Sequence, residues 1–224
     1  MDENNFQGVI KMKKINLKSI ITAILMLVFG TAVYAKNITV SVGAGENWQP
    51  SHKPQFAVWL EDEKGNFLRT LYVTKKASGR TWIFSPKEGR PESLPVWYHS
   101  SKNETAVKSK VENEKLDAVT SATPKGGVIF IADIPDEGCT IKAEFNTSFD
   151  YNDFFTKKNS GVNGQPSVVY VGKIPSDLAS GEEIRLEFAG CGSLDGSSGN
   201  IETENISRLT TAVSIVKTVA VAGK

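Results

Sequence analysis

The side chains best placed to do chemistry are hydroxyls in one short run, Asp117, Ala118, Val119, Thr120, Ser121, Ala122 and Thr123, which ends against Pro124. A proline ring drives the preceding residue out of the helical region toward extended geometry. With Gly126 and Gly127 just beyond, the run reads as an accessible, non-helical loop on which Thr123 offers its hydroxyl. Taken alone, the same run also suits an ordinary loop whose hydroxyls hydrogen-bond locally. Other candidates are sparser. His52 and His99 are the only histidines, too few for a histidine metal cage, and neither accompanies a Ser or Cys nucleophile signature. His99 follows Trp97 and Tyr98, rings of the kind that stack on flat partners for about 0.5–1.5 kcal/mol beyond area burial. Trp97 reads equally as an indole filling the core. Residues 146–153 carry oxygen-bearing side chains at alternate positions, which lie on one face if the chain stays extended. That face suits a hydrogen-bonding edge or Ca2+, although plain turn chemistry explains it as well.

The N-terminus says where such chemistry takes place. Lys13, Lys14 and Lys18 precede an apolar run from Ile20 to Val33, and Val33, Tyr34 and Ala35 put small residues at the positions a signal peptidase reads. This is the pattern of a secretory signal, and the apolar run is shorter than the 18 or more residues of a spanning helix. Residues 1–35 are therefore expected to be an upstream extension and a leader cleaved near Ala35, leaving residues 36–224 as one domain in the periplasm or outside the cell. The leader holds four of the 26 basic and two of the 25 acidic residues, so 22 basic face 23 acidic residues in the mature chain. Such neutrality, with no basic stripe, argues against nucleic acid as a partner. Cys139 and Cys191 either form a disulfide, which an oxidising compartment permits, or are two small buried hydrophobes. Neither belongs to a Cys-x-x-Cys pair.

The elements that position these residues read as strands. Alternation marks Ile38, Val40 and Val42; Phe56, Val58 and Leu60; and Leu68, Thr70 and Tyr72, with a hairpin turn over residues 61–66. Further strands are expected at residues 81–84, 128–132, 140–145, 167–171 and 184–188, and residues 206–221 read as one long strand or two short ones. This predicts an all-β antiparallel sandwich, immunoglobulin-like. Two long insertions break the rhythm, residues 85–125 and 146–166, and long insertions usually carry function. The charged run of residues 102–115 reads as a short exposed helix.

Two resemblances sharpen the reading. The run from Asp117 to Thr123 resembles the acceptor motif of bacterial FMN transferases, matched at every fixed position, with Ser121 where glycine is commoner. The resemblance implies covalent FMN, joined by a phosphoester to Thr123, with Asp117, Thr120, Ser121 and Ala122 read by the transferase; the flavin then carries the redox chemistry. Trp97, Tyr98 and His99 are the expected neighbours of its ring, and Arg80, Arg90 and Lys125 candidate partners of its phosphate. The mature chain also resembles a bacterial family of secreted β-rich proteins of unknown function, some of which carry this motif. That resemblance rests on residues 56–71, on Arg90, Pro91, Glu92, Ser93, Leu94, Pro95, Val96 and Trp97, on residues 117–126, and on Asn163, Gly164, Gln165, Pro166 and Ser167. The expected function is an extracytoplasmic electron carrier, served by an FMN transferase and a membrane-associated redox partner protein, and a redox subunit more than a stand-alone enzyme. The alternative is a cofactor-free binding or structural module of the cell envelope. A hydrolase is third, because no Ser-His-Asp order or paired-carboxylate signature stands out.

Overall fold

The computed structural model describes residues 36–49, 51–78, 90, 92–105, 120–121 and 126–224; Asp117, Ala122, Thr123 and residues 1–35 lie outside the described residues. Period-two patterning sets the first strands. β1 (Lys36–Ala44) buries Ile38, Val40 and Val42, and β2 (Gln55–Glu61) and β3 (Phe67–Thr74) form the expected hairpin. Its turn is closed by Asp62, which accepts the N–H groups of Lys64 and Asn66 at 2.8 Å each. Gly65 there adopts a φ of 82°, a left-handed geometry that costs glycine nothing sterically. These bonds, the Asn66 side-chain amide first among them, hold the Asp62 carboxyl below its ordinary value. Next come α1 (Lys75–Ser78), α2 (Pro95–Thr105), β4 (Thr120–Ser121), β5 (Val128–Ile134), β6 (Cys139–Asn146), α3 (Lys157–Ser160), β7 (Val168–Ile174), β8 (Glu183–Arg185), β9 (Glu187–Cys191) and β10 (Val216–Gly223).

The strands form two sheets, a four-stranded one in the order β5-β1-β10-β8 and a six-stranded one in the order β4-β3-β2-β6-β7-β9. The chain is all-β in class, as expected, and β3 with β4 is the one parallel pairing among the described strands. Between the sheets lies the main core, with Ile38, Val40, Val42, Phe56, Val58, Leu60, Ile141, Phe145, Val168, Val219 and Val221 all buried. Phe56 stacks on Tyr72 at 4.9 Å and Phe145 at 5.4 Å and tilts against Trp48 at 5.6 Å.

Every residue of β2 is buried, which a sandwich with one solvated face does not explain. The far face of the larger sheet is covered too: Ala57, Trp59, Val73 and Val169 pack there against Ala77 of α1, Leu94, and Val96 and Trp97 of α2. The fold therefore has three layers, and the helix that makes the third comes from the first of the two expected insertions.

Three expectations change. Residues 184–188 are not one strand: β8 pairs with β10 in one sheet and β9 with β7 in the other, and buried Leu186, whose N–H reaches the Val219 carbonyl at 2.9 Å, marks where the chain crosses between them. Residues 206–221 hold two short 3-10 turns, Ile206–Arg208 and Ala212–Ser214, before β10. The hydroxyls there serve the chain locally, Ser214 Oγ donating to the Thr211 carbonyl at 2.9 Å, and Asn205 enters the turn at a φ of 62°. The helical part of residues 102–115 starts earlier, at Pro95, and its residues beyond 105 lie outside the described set, as does the strand expected at 81–84.

Cys139 and Cys191 are both free and buried. Cys139 pairs with Ile174 and Cys191 with Val168, the two ends of β7, about 20 Å apart at roughly 3.3 Å per residue. A disulfide tolerates no more than about 7 Å between Cα atoms, so the bridging alternative is overturned. Burial pushes both thiols up to about 11. Both thiols are expected to resist a disulfide-exchange reagent in the native chain and to titrate fully on denaturation. Truncation of Phe56 to alanine is expected to cost about 3–5 kcal/mol in urea unfolding, because three rings lose contact at once.

Candidate functional site

Helix α2 begins with Pro95, a position where the missing N–H is no loss. The next two N–H groups, of Val96 and Trp97, have no partner within the helix and donate instead to Glu144 of β6, at 3.2 and 2.8 Å. The Ser167 hydroxyl donates to the same carboxylate at 2.6 Å. Glu144 has no exposed surface, so a strand side chain caps a helix across the layer boundary, where the positive end of the helix dipole favours a negative charge. Gly192 closes the pocket: a Cβ there would collide with Ser167 Oγ, Pro95 Cγ and Glu144 Oε1. Burial pushes the Glu144 carboxyl up to about 7, against the pull of Ser167 and the Trp97 and Val96 N–H groups.

A second network ties the approach to α2 onto the loop after β6. Arg90 donates to Glu92 at 2.9 Å, to the Ser148 hydroxyl at 2.7 Å and to the Asn163 side-chain oxygen at 2.7 Å. Asn163 in turn donates its amide to the Glu92 carbonyl at 2.6 Å. Two segments far apart in sequence, Arg90 to Trp97 and Asn163 to Ser167, are thus laced together twice, through Arg90 with Asn163 and through Glu144. The fork of Arg90 is engaged by the chain itself; Arg80 and Lys125 lie outside the described residues.

The expected site residues fall as follows. Trp97, Tyr98 and His99 stand on α2 and not on a loop. Trp97 is 4% exposed and its indole N–H reaches Thr70 Oγ1 of β3 at 2.9 Å, so it takes the core-filling alternative. Tyr98 and His99 are partly exposed; the Lys102 ammonium lies 4.3 Å over the Tyr98 ring, and His99 Nε2 is 2.9 Å from the Gly196 carbonyl. Thr120 and Ser121 form β4, paired with Val73 and Thr74. Strand β3 therefore meets both halves of the expected site, α2 at Thr70 and β4 three residues on, about 10 Å along the strand. By sequence, Thr123 falls in the connection from β4 in one sheet to β5 in the other. Gly127 ends that connection against β1, where a Cβ would collide with the Val42 carbonyl.

The polar run at residues 146–153 spends much of its hydrogen bonding on the chain itself. Asn146 donates to the Gln165 carbonyl at 3.2 Å, Asp150 accepts from Thr211 and from Asn47, and Asn152 accepts the N–H groups of Phe154 and Phe155 at 3.0 and 2.7 Å. Burial holds the Asp150 carboxyl above its ordinary value. Phe149, at a φ of 65°, breaks the extended geometry that one common face requires. No cluster of metal-ligating side chains occurs among the described residues.

Residues 35–143 match a family model described as "Predicted periplasmic protein (DUF2271)". This portion, from β1 into β6, is similar to a secreted bacterial family whose description states no activity. No curated protein and no solved structure gives a significant match. No helix among the described residues is long and apolar enough to cross a membrane.

The pocket makes stability depend on pH. The folded chain holds the Glu144 proton more tightly than the unfolded chain, about 7 against 4.5, so this contribution is complete below pH 4.5 and disappears as pH rises through 7. At about 1.4 kcal/mol per tenfold change in proton affinity, the chain is expected to lose roughly 3 kcal/mol between those limits, read by urea unfolding across the range. Glu144→Gln is expected to flatten that segment of the profile.

Proposed function

We propose that the chain is an extracytoplasmic electron-transfer protein carrying FMN covalently on Thr123. The observation that carries the reading is the run from Asp117 to Thr123, complete at each position of the acceptor motif it resembles and followed by Pro124. A further observation supports it: the similarity of residues 35–143 to a family described as predicted periplasmic. The tether has its own logic, since a dissociating cofactor outside the cytoplasm is diluted and lost.

The described residues fit a tethered flavin in part. Tyr98 and His99 present surface on α2, and Lys102 beside Tyr98 supplies a cation for a phosphodiester; Trp97 is enclosed and is not a stacking partner. When bound, the flavin supplies one- and two-electron chemistry that no side chain of the chain offers. The chain's own part is to offer the hydroxyl of Thr123 to a transferase and to hold α2 and β4 on neighbouring stretches of β3. An FMN transferase and a membrane-associated redox partner are the implied partners.

Intact mass spectrometry of the exported chain, coexpressed with an FMN transferase, is expected to show one added FMN and yellow, fluorescent protein on a denaturing gel. Thr123→Val is expected to abolish both while leaving the melting temperature unchanged. An unmodified wild-type chain, or a flavin retained by the valine variant, overturns the reading in favour of a cofactor-free envelope module.

A further inference from the structure

The Thr211 hydroxyl sits between a carboxylate and a carboxamide. It donates to Asp150, whose other oxygen accepts the Asn47 amide at 3.2 Å, and it accepts the Gln165 side-chain N–H at 2.6 Å. The orientation of that carboxamide is fixed, because it accepts the Thr210 backbone N–H at 2.7 Å and only its oxygen can do so. The Thr210 hydroxyl donates to the same oxygen at 3.3 Å. The carboxamide carbon is one bond, about 1.3 Å, behind the nitrogen, which puts it within about 4 Å of the Thr211 oxygen. The backbone holds these groups in place. Asp150 accepts the Gln165 N–H at 2.8 Å and donates to the Asn163 carbonyl at 3.2 Å. Gly164, at a φ of 78°, lies so close that a Cβ would collide with the Asp150 carbonyl. Asn47 also donates to the Thr211 carbonyl at 3.2 Å, so one amide clamps the carboxylate and the threonine together. Gln165 is 1% exposed, whereas Thr211 reaches solvent.

A hydroxyl with a base on one side and an acyl carbon on the other is arranged as a nucleophile. We infer that Thr211 attacks the Gln165 carboxamide, with Asp150 as base, and joins the two side chains through an ester. A bond forms between Thr211 Oγ1 and Gln165 Cδ, the Cδ–Nε2 bond breaks, and ammonia leaves. Asp150 takes the hydroxyl proton and returns it to the departing nitrogen, so the step balances without a co-reactant. Negative charge developing on Gln165 Oε1 meets the Thr210 N–H, the donor an oxyanion requires. Burial holds the Asp150 carboxyl above its ordinary value, which suits a group that gains a proton and gives it back. An amide is a sluggish acyl group; fixed proximity favours the step, and the ammonia escapes to solvent past Thr211. The enclosed Gln165 side then shields the ester from water. Closure ties the loop after β6 to the segment before β10, 46 positions apart in sequence. This is the kind of constraint a disulfide supplies, in a chain whose two cysteines are free. It does not depend on the flavin reading.

Intact mass spectrometry of the folded, exported chain, made without a transferase, is expected to read one ammonia below the mass of its sequence. A tryptic digest is expected to contain the peptides of Gln165 and Thr211 as one linked species, which hydroxylamine separates. T211V and D150N are each expected to read the full mass of their sequence, with far-UV circular dichroism unchanged, and T211S is expected to keep the linkage. A wild-type chain at full mass overturns the inference. So does a deficit that persists in T211V, as cyclisation at Asn163 and Gly164 would leave, or a linkage that forms equally in D150N.

Discussion

A carboxylate with no exposed surface and no cation against it is among the most expensive things a protein can bury, and among the described residues Glu144 is such a group. What makes it tolerable is the end of a helix. Two N–H groups that α2 cannot satisfy internally point at the carboxylate, the helix dipole adds to them, and Ser167 supplies a third hydrogen bond. The dependence runs both ways: without Glu144 the first turn of α2 has two buried, unanswered donors, and without α2 the charge has almost nothing. Ser167 is the adaptable member, because a hydroxyl donates to the carboxylate and accepts from the protonated acid. The pocket can thus change protonation state without losing its partners, and the helix stays attached to the middle of the sheet.

From that attachment the third layer follows. With α2 fixed over β2 and β6, Trp97 fills the space above Trp59 and reaches Thr70, and β2 is enclosed on both faces. Glu61 repeats the pattern further along β2: buried at 4% exposure, it accepts the Trp59 indole N–H at 2.9 Å and pairs with Lys142 at 2.6 Å. Glu61 and Glu144 thus hold an aromatic and a helix end in register. The Arg90–Asn163 lacing then fixes the chain leading into α2, so the helix is held at its start from two directions.

Much of the sandwich was legible in the sequence because period-two patterning reports one buried face. Ile38, Val40 and Val42, and Phe56, Val58 and Leu60, announced their strands, and Asp62 with Gly65 announced the turn. The covered outer face was not legible. In β6 the alternation of Thr140, Lys142, Glu144 and Asn146 with Ile141, Ala143 and Phe145 is the signature of a solvated face, yet Glu144 and Asn146 are buried. Nothing local distinguishes a strand glutamate that faces water from one that caps a helix lying some fifty residues earlier. The same limit explains residues 206–221, where the high strand propensity of Thr and Val gave way to side-chain bonding by Thr211 and Ser214. Of the candidate site, the residue types were visible and their partners were not: Arg90 and Asn163 stood out as segments without any hint that they bind each other.

One edge of each sheet comes together on the same side of the sandwich. Strand β4 ends one edge of the larger sheet and β5 one edge of the smaller, with Tyr72 of β3 stacked on Phe130 of β5 across the gap. The run from Asp117 to Thr123 includes β4, so its described part is an edge strand. In the interior, a tethered ring would have to displace a well-packed cluster such as Phe56, Tyr72 and Phe145, at a cost of several kcal/mol.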